Sequence, residues 1–240
     1  MTVSVPAHDN PVLDNAVLDN AVWHTLAGEH ARFAEVVGVV RRYHPDIAPF
    51  AALPDEPDEP AWRELAALVG AGNIAVLSRP VIDPLAGWQE LDRGVGLQMI
   101  GDAVVGEHDD EALVLGAADV PEMLALVERA EPGPFRPRTI ELGKYLGIRR
   151  GGALVAMAGE RMRPAGHTEI SAVCTDAEFR GQGLAARLVR AVAAGVQERG
   201  ETPMLHVRKS NTGAVRLYEA LGFATRIETF FVGLRAPDVA

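Results

Sequence analysis

Residues 167–189 read HTEISAVCTDAEFRGQGLAARLV, and residues 205–223 read LHVRKSNTGAVRLYEALGF. The first stretch opens as a strand over Thr168–Thr175, where apolar and polar residues alternate. From Leu184 to Arg199 the pattern is an amphipathic helix. Leu184, Leu188, Val192 and Val196 share one face, Arg187 and Arg190 oppose it, and Gly200 ends it. Between the two lies DAEFRGQG. Arg180, Gly183 and Ala185 form an R-x-x-G-x-A pattern at a strand-to-helix junction, and its physics is anion binding. Small residues let the backbone approach a diphosphate, the first-turn N–H groups lack helical partners, and the helix dipole favours negative charge. The second stretch reads as a strand, Met204–Arg208, then a helix, Thr212–Leu221, stopped by Gly222.

The same loop matches G-x-G-x-x-A through Gly181, Gly183 and Ala186, a pattern shared with dinucleotide-binding turns. Three features argue against that reading. DAEFR separates strand from glycine, where a nucleotide turn is immediate. The next strand ends in Arg208 and Lys209, not a ribose-binding acid. Only about sixty residues remain, too few for the rest of such a fold.

Taken together, the glycine loop, the following strand and the Asn–x6–Tyr helix resemble the GNAT family of acyl-CoA-dependent N-acetyltransferases, in its FR47-like branch. The resemblance covers roughly residues 112–235. It implies a GNAT acyltransferase fold, with acetyl-CoA as cosubstrate and no metal. Val173, Cys174 and Thr175 would be the strand end that pairs with the pantetheine arm. Gly181, Gln182, Gly183, Leu184, Ala185 and Ala186 would cradle the pyrophosphate, with Arg180 at the loop's leading basic position. Asn211 would bond the cofactor arm, and Tyr218 would protonate the leaving thiolate. A phenol with an ordinary pKa of ~10 is matched to a thiol of about 8.5.

The general base stays open between two residues. On the strand Met204–Arg208, alternation groups Met204, His206 and Arg208 on one face. A neutral His206 imidazole could take the ammonium proton directly. Several relatives carry a Glu at that place, so the family's base does not carry over unchanged. Glu169, grouped with Ser171, Val173 and Thr175, could act through water. Cys174 falls by alternation with Ile170 and Ala172, as a small buried residue. The expectation is direct attack by a primary amine in a ternary complex, with no acyl-enzyme. The alternative is a non-catalytic acyl-CoA sensor or partner-binding module.

Working outward, strands are expected around Leu146–Arg150, Ala153–Arg163 and Thr168–Thr175. Helices are expected from a capping-box-like start at Asp119–Glu122 through Arg129, and over Pro137–Tyr145. The class is α/β with a mixed sheet and helices on both faces. In the first half, residues 24–43 have helical spacing, PDEPDEP (54–60) reads as an exposed linker, and Trp62–Val69 as a helix. Ile74–Ser78 and Gly96–Ile100 read as strands. VLDNAVLDNAV (12–22) is a tandem repeat whose period fits neither helix nor strand, at a loose N-terminus. The acidic stretch 101–111 places a boundary between a region 1–110 and an acyltransferase domain 111–240. Residues 65–101 faintly echo 142–174, so the first region is either a degenerate GNAT-like copy or an unrelated α/β lid.

Composition sets the outer limits. The 240 residues are 48% hydrophobic and 23% charged, enough apolar material for a core without staples. One cysteine and scattered histidines point away from disulfide frameworks and metal clusters. The net charge of −10 argues against nucleic acid. It divides as −12 over residues 1–110 and +2 over 111–240, which suits an anionic ligand in the second half and a cationic acceptor beside the first. No run is long enough to span a membrane, and MTVSVPAHDN lacks signal-peptide features. The expectation is a cytoplasmic monomer or homodimer acting on a small-molecule or peptide amine, without nucleic acid or membrane as partner.

Overall fold

A computed structural model describes residues 15–238 of the chain. An eight-stranded sheet organises it, in the order β4-β11-β5-β10-β9-β8-β7-β6. These strands are β4 (Ile74–Arg79), β5 (Gln89–Ile100), β6 (Leu113–Leu115), β7 (Tyr145–Arg150), β8 (Ala153–Glu160), β9 (His167–Thr175), β10 (Thr202–Arg208) and β11 (Ala224–Arg235). A small antiparallel sheet of β1 (Ala34–Val37), β2 (Val40–Tyr43) and β3 (Ala51–Ala52) joins it through a bridge from Phe50 to Val76. The helices are α1 (Ala21–Ala27), α2 (Glu59–Val69), α3 (Val120–Ala130), α4 (Leu184–Glu198) and α5 (Thr212–Ala220). In the large sheet β9 and β10 are parallel, and every other pairing is antiparallel.

Both sheet faces are covered. The stripe Leu184, Leu188, Val192 and Val196 of α4 is buried against Leu146, Ile148, Val155, Ile170, Leu205 and Val207. Met123 and Leu126 of α3 pack on the other face, against Tyr145, Leu154, Met157, Ala172 and Cys174. The strand β5 runs between β10 and β11, so strands from both halves of the chain share the sheet. Residues 101–112 lie along α4. The Glu107 N–H donates to the Arg190 carbonyl at 3.2 Å, and Asp109 holds Arg187 at 2.5 Å.

Several expectations are corrected. The helical spacing of 24–43 ends at Ala27, and Val36, Val37 and Val40 form the β1–β2 hairpin instead. β-Branched residues favour strands, and Gly38, at φ +53, makes the turn. Glu59 and Pro60 of the acidic linker are the first turn of α2, because the Asp58 side chain accepts from Ala61 N–H at 2.9 Å and caps it. The second LDNAV copy is not loose. Leu18, Ala21 and Val22 are buried and Asn20 donates to the Leu53 carbonyl, whereas residues 12–14 lie outside the described residues. The helix expected at Pro137–Tyr145 is a single 3-10 turn, Thr139–Leu142, before extended Gly143 and the start of β7. Asp119 does not cap α3. Its carboxylate accepts the Gly116 N–H one turn earlier and pairs with Arg149. β5 starts at Gln89, not Gly96, its polar half carried by pairing with β11.

Candidate active site

The parallel pair β9 and β10 is registered only from Thr202 opposite His167 to Met204 opposite Glu169. Beyond that point the strands separate, each still paired on its outer side. In β9 a bulge sets two residues, Ala172 and Val173, against Ala158 of β8, and Ala172 sits at φ +52. Only a few per cent of non-glycine residues adopt such a φ, and they concentrate where structure around them holds the strain. The bulge also reverses the side-chain alternation. Ile170 and Val173 pack toward α4, while Ala172 and Cys174 pack toward α3. Cys174 therefore does not share a face with Ile170 as regular alternation predicts. It is buried as expected, and burial pushes its thiol up to about 12.

Where β9 ends, the Thr175 hydroxyl is buried without a hydrogen-bond partner, and Arg180 Nε reaches the Thr175 carbonyl at 3.4 Å. The loop that follows is exposed. From Gly181 to Ala186 the backbone N–H groups find no acceptor among the described residues. Gly181 and Gly183 hold φ +79 and +74, and the space a Cβ would enter is open at both. The leading residues of α4 thus present a strip of free donors at the positive end of a 15-residue helix. An orphaned hydroxyl, a left-handed glycine cradle and separated strands fit the arm and diphosphate of a CoA thioester.

Asn211 is exposed and caps α5, its Oδ1 accepting from Ala214 N–H at 3.2 Å, which leaves the side-chain NH2 free to donate outward. Tyr218 is buried in the cluster that holds Leu184 and Val173, edge-on to Phe223. Burial first, and then the nearby Cys174 thiol, push its phenol up to about 12, so it stays protonated at neutral pH.

On the face opposite α4 the expected bases meet, but neither is solvated. Glu169 is fully buried, and its carboxylate takes a two-pronged bond from Arg161 at 2.6 and 2.7 Å. Its other partner is His206 Nδ1, at 2.8 Å. Burial alone would raise this carboxyl. Arg161's charge and bonds, with the His206 bond, outweigh it and hold the group down to about 2. An anion held this firmly is a poor proton relay. The His206 ring is 3% exposed and stands edge-on to Phe231, although the residue as a whole is only half-buried. The backbone accounts for that difference, along the strand edge that β9 has left. The ring's Nε2 lies 3.1 Å from Gln98 Nε2. Arg161, Gln98 and Arg226 were not singled out from sequence. The one available signal was Gln98, a lone polar residue between Leu97 and Met99 in the apolar half of β5.

Comparison with known proteins places the fold. The FR47-like protein family matches residues 145–232. A crystal structure from Novosphingobium aromaticivorans, described as a putative acetyltransferase of the GNAT family, superposes with TM-score 0.83 at 43% identity, covering 90% of this chain and 97% of that one. This chain belongs to the GNAT family. A mycothiol acetyltransferase from Thermobispora bispora is 34% identical over 186 residues, which is 69% of this chain and 59% of that protein's length. A GCN5-related N-acetyltransferase from Kribbella flavida, at 22% identity and TM-score 0.57, shares the fold across 90% of this chain. Among the described residues no group of side chains is placed to hold a metal ion, and no helix is long and apolar enough to cross a membrane.

Proposed function

We propose that this GNAT protein is an acetyl-CoA-dependent N-acetyltransferase that acts on a primary amine by direct attack within a ternary complex. The observation that carries the reading is the strip of free N–H groups from Gly181 to Ala186, separated by five residues from a strand that has parted from its parallel neighbour. Acetyl-CoA, when bound, supplies the acetyl group as a thioester. Gly181–Ala186 would hold the diphosphate, with Arg180 adding positive charge beside it. Val173, Cys174 and Thr175 would offer main-chain groups to the pantetheine arm, and Asn211 would donate to it. His206 Nε2 would accept the amine's proton. Glu169 would orient that ring instead of acting through water, since its carboxylate is buried and bonded on both sides. Tyr218 would donate its proton to the departing sulfur.

Residues 111–240 would carry the transfer, and residues 1–110 would wall the acceptor side. Calorimetric titration with acetyl-CoA, free CoA and NADH in parallel tests the reading. Both CoA species should bind and NADH should not; failure of both CoA species to bind overturns it. Turnover is then read as thiol release over a panel of small-molecule and peptide amines. With an acceptor in hand, Tyr218→Phe should retain acetyl-CoA binding and lose roughly 10²–10⁴-fold in turnover. Normal turnover would remove Tyr218 from the mechanism. Binding without turnover on any amine would support a non-catalytic acyl-CoA sensor instead.

A further inference from the structure

We propose that Gln98 is the positioning residue that fixes the tautomer of His206, keeping the proton on Nδ1 and the lone pair on Nε2. The proposal rests on the reading of His206 as proton acceptor. The amide of Gln98 can point only one way. Its nitrogen lies 2.7 Å from the Leu18 carbonyl, which can only accept, and its oxygen 2.6 Å from Arg226 Nε, which can only donate. With both ends fixed, the second amide hydrogen is directed at His206 Nε2, 3.1 Å away. That ring nitrogen must then be the acceptor. On the far side of the ring, Nδ1 faces the Glu169 carboxylate at 2.8 Å, which Arg161 holds ionised and which can only accept. Two independent contacts therefore dictate one tautomer.

The register explains why the residues meet. Gln98 of β5 stands opposite His206 of β10, and two residues along Ile100 stands opposite Met204. Leu18 covers Ile100 and Met204, and Asp19 pairs with Arg226, so the turn Asn15–Asn20 anchors the amide from above. The charged and titratable groups facing this ring and its partner carboxylate are Glu169 on β9, Arg161 after β8, Arg226 on β11, Asp19 in the turn, Tyr43 on β2 and Tyr145 on β7.

A proton on Nε2 would set its N–H against the Gln98 NH2. An incoming amine that donates to Nε2 replaces the Gln98 contact. Long-range 1H–15N spectra of the full chain labelled with 15N-histidine read the tautomer without turnover, the His206 signals being assigned with His206→Gln. The wild-type ring should carry its proton on Nδ1. Gln98→Glu, which sets an acceptor opposite Nε2, should add a proton on Nε2 beside the one on Nδ1 and shift the acidic limb of the kcat/KM profile upward by about one to three units. Gln98→Met leaves the Nδ1 proton to the Glu169 contact alone, should loosen the ring at Nε2 and should lower kcat about tenfold or more, with KM for acetyl-CoA unchanged. An Nε2–H tautomer in the wild type, or a Gln98→Glu spectrum identical to it, overturns the proposal. Full turnover by His206→Gln is a separate result, which would remove the base assignment on which the proposal rests.

Discussion

The two sides of the sheet at the β9–β10 separation are built from different materials. On the α4 side the polar groups are main-chain N–H groups from one short stretch, Gly181–Ala186, without acceptors and opening to solvent at Gly181–Gly183. On the opposite side they are side chains drawn from residues 19 to 226, buried from Arg161 to Glu169 to His206 to Gln98 and reaching the surface through Arg226 to Asp19. A site made of backbone needs empty space more than particular side chains. A site made of buried side chains needs each partner, because any one removed leaves another without its bond.

The largest effect should come from filling the empty space. Gly183 sits at φ +74 with nothing within 4 Å of a Cβ position, so Gly183→Asp adds strain, bulk and a negative charge where a diphosphate would lie. Calorimetry should detect no acetyl-CoA binding, while the circular dichroism spectrum keeps its wild-type shape. Retained binding would mean that the loop is not the phosphate cradle. Gln98→Met makes the opposite test, leaving cofactor binding intact and disturbing only the ring.

That contrast also explains what could be read from the chain. The α4 side was legible because its signals are local: a strand, a glycine loop, an apolar stripe at helical spacing, and an Asn and a Tyr with six residues between them at the next helix. Boundaries of β7 to β10, α4 and α5 fell within a few residues of their observed positions. The opposite side was not legible. Gln98 meets Leu18 across 80 residues and Arg226 across 128, and no periodicity reports such pairings. The hairpin β1–β2 was missed for a simpler reason, since valines at helical spacing are also β-branched and a glycine stands between them. Alternation in β9 put Cys174 with Ala172, as observed, but also with Ile170, which it does not join, because a bulge at an alanine leaves no mark in the sequence.

Next in size is the loss of Arg161. Arg161→Met would leave the Glu169 carboxylate buried with only His206 to bond it, and should cost about 3–5 kcal/mol of stability by urea unfolding at pH 7. The pair also has a pH signature. Glu169 is depressed in the folded protein to about 2, so its contribution is present above the ordinary carboxyl range and is lost as the pH falls through that range toward 2. Wild-type stability should therefore fall more steeply than that of Arg161→Met in acid. Parallel pH curves for the two proteins would show that the pair contributes nothing through Glu169 ionisation.

The smallest effect belongs to Cys174, and it sharpens the boundary between the two sides. A thiol on the strand end nearest the loop invites a covalent route, but the bulge at Ala172 turns this side chain toward Met157 and α3, away from the α4 face where Val173 lies. Burial there raises the thiol to about 12, so almost none of it is the nucleophilic thiolate at neutral pH. The contribution expected of Cys174 to binding is through its backbone, which alanine preserves. Cys174→Ala should keep turnover within about twofold of wild type and cost about 1 kcal/mol from the lost packing. A loss of turnover with intact acetyl-CoA binding, together with a mass gain of one acetyl group on the wild-type chain, would require an acyl-enzyme and a β9 that does not hold this bulge during the reaction.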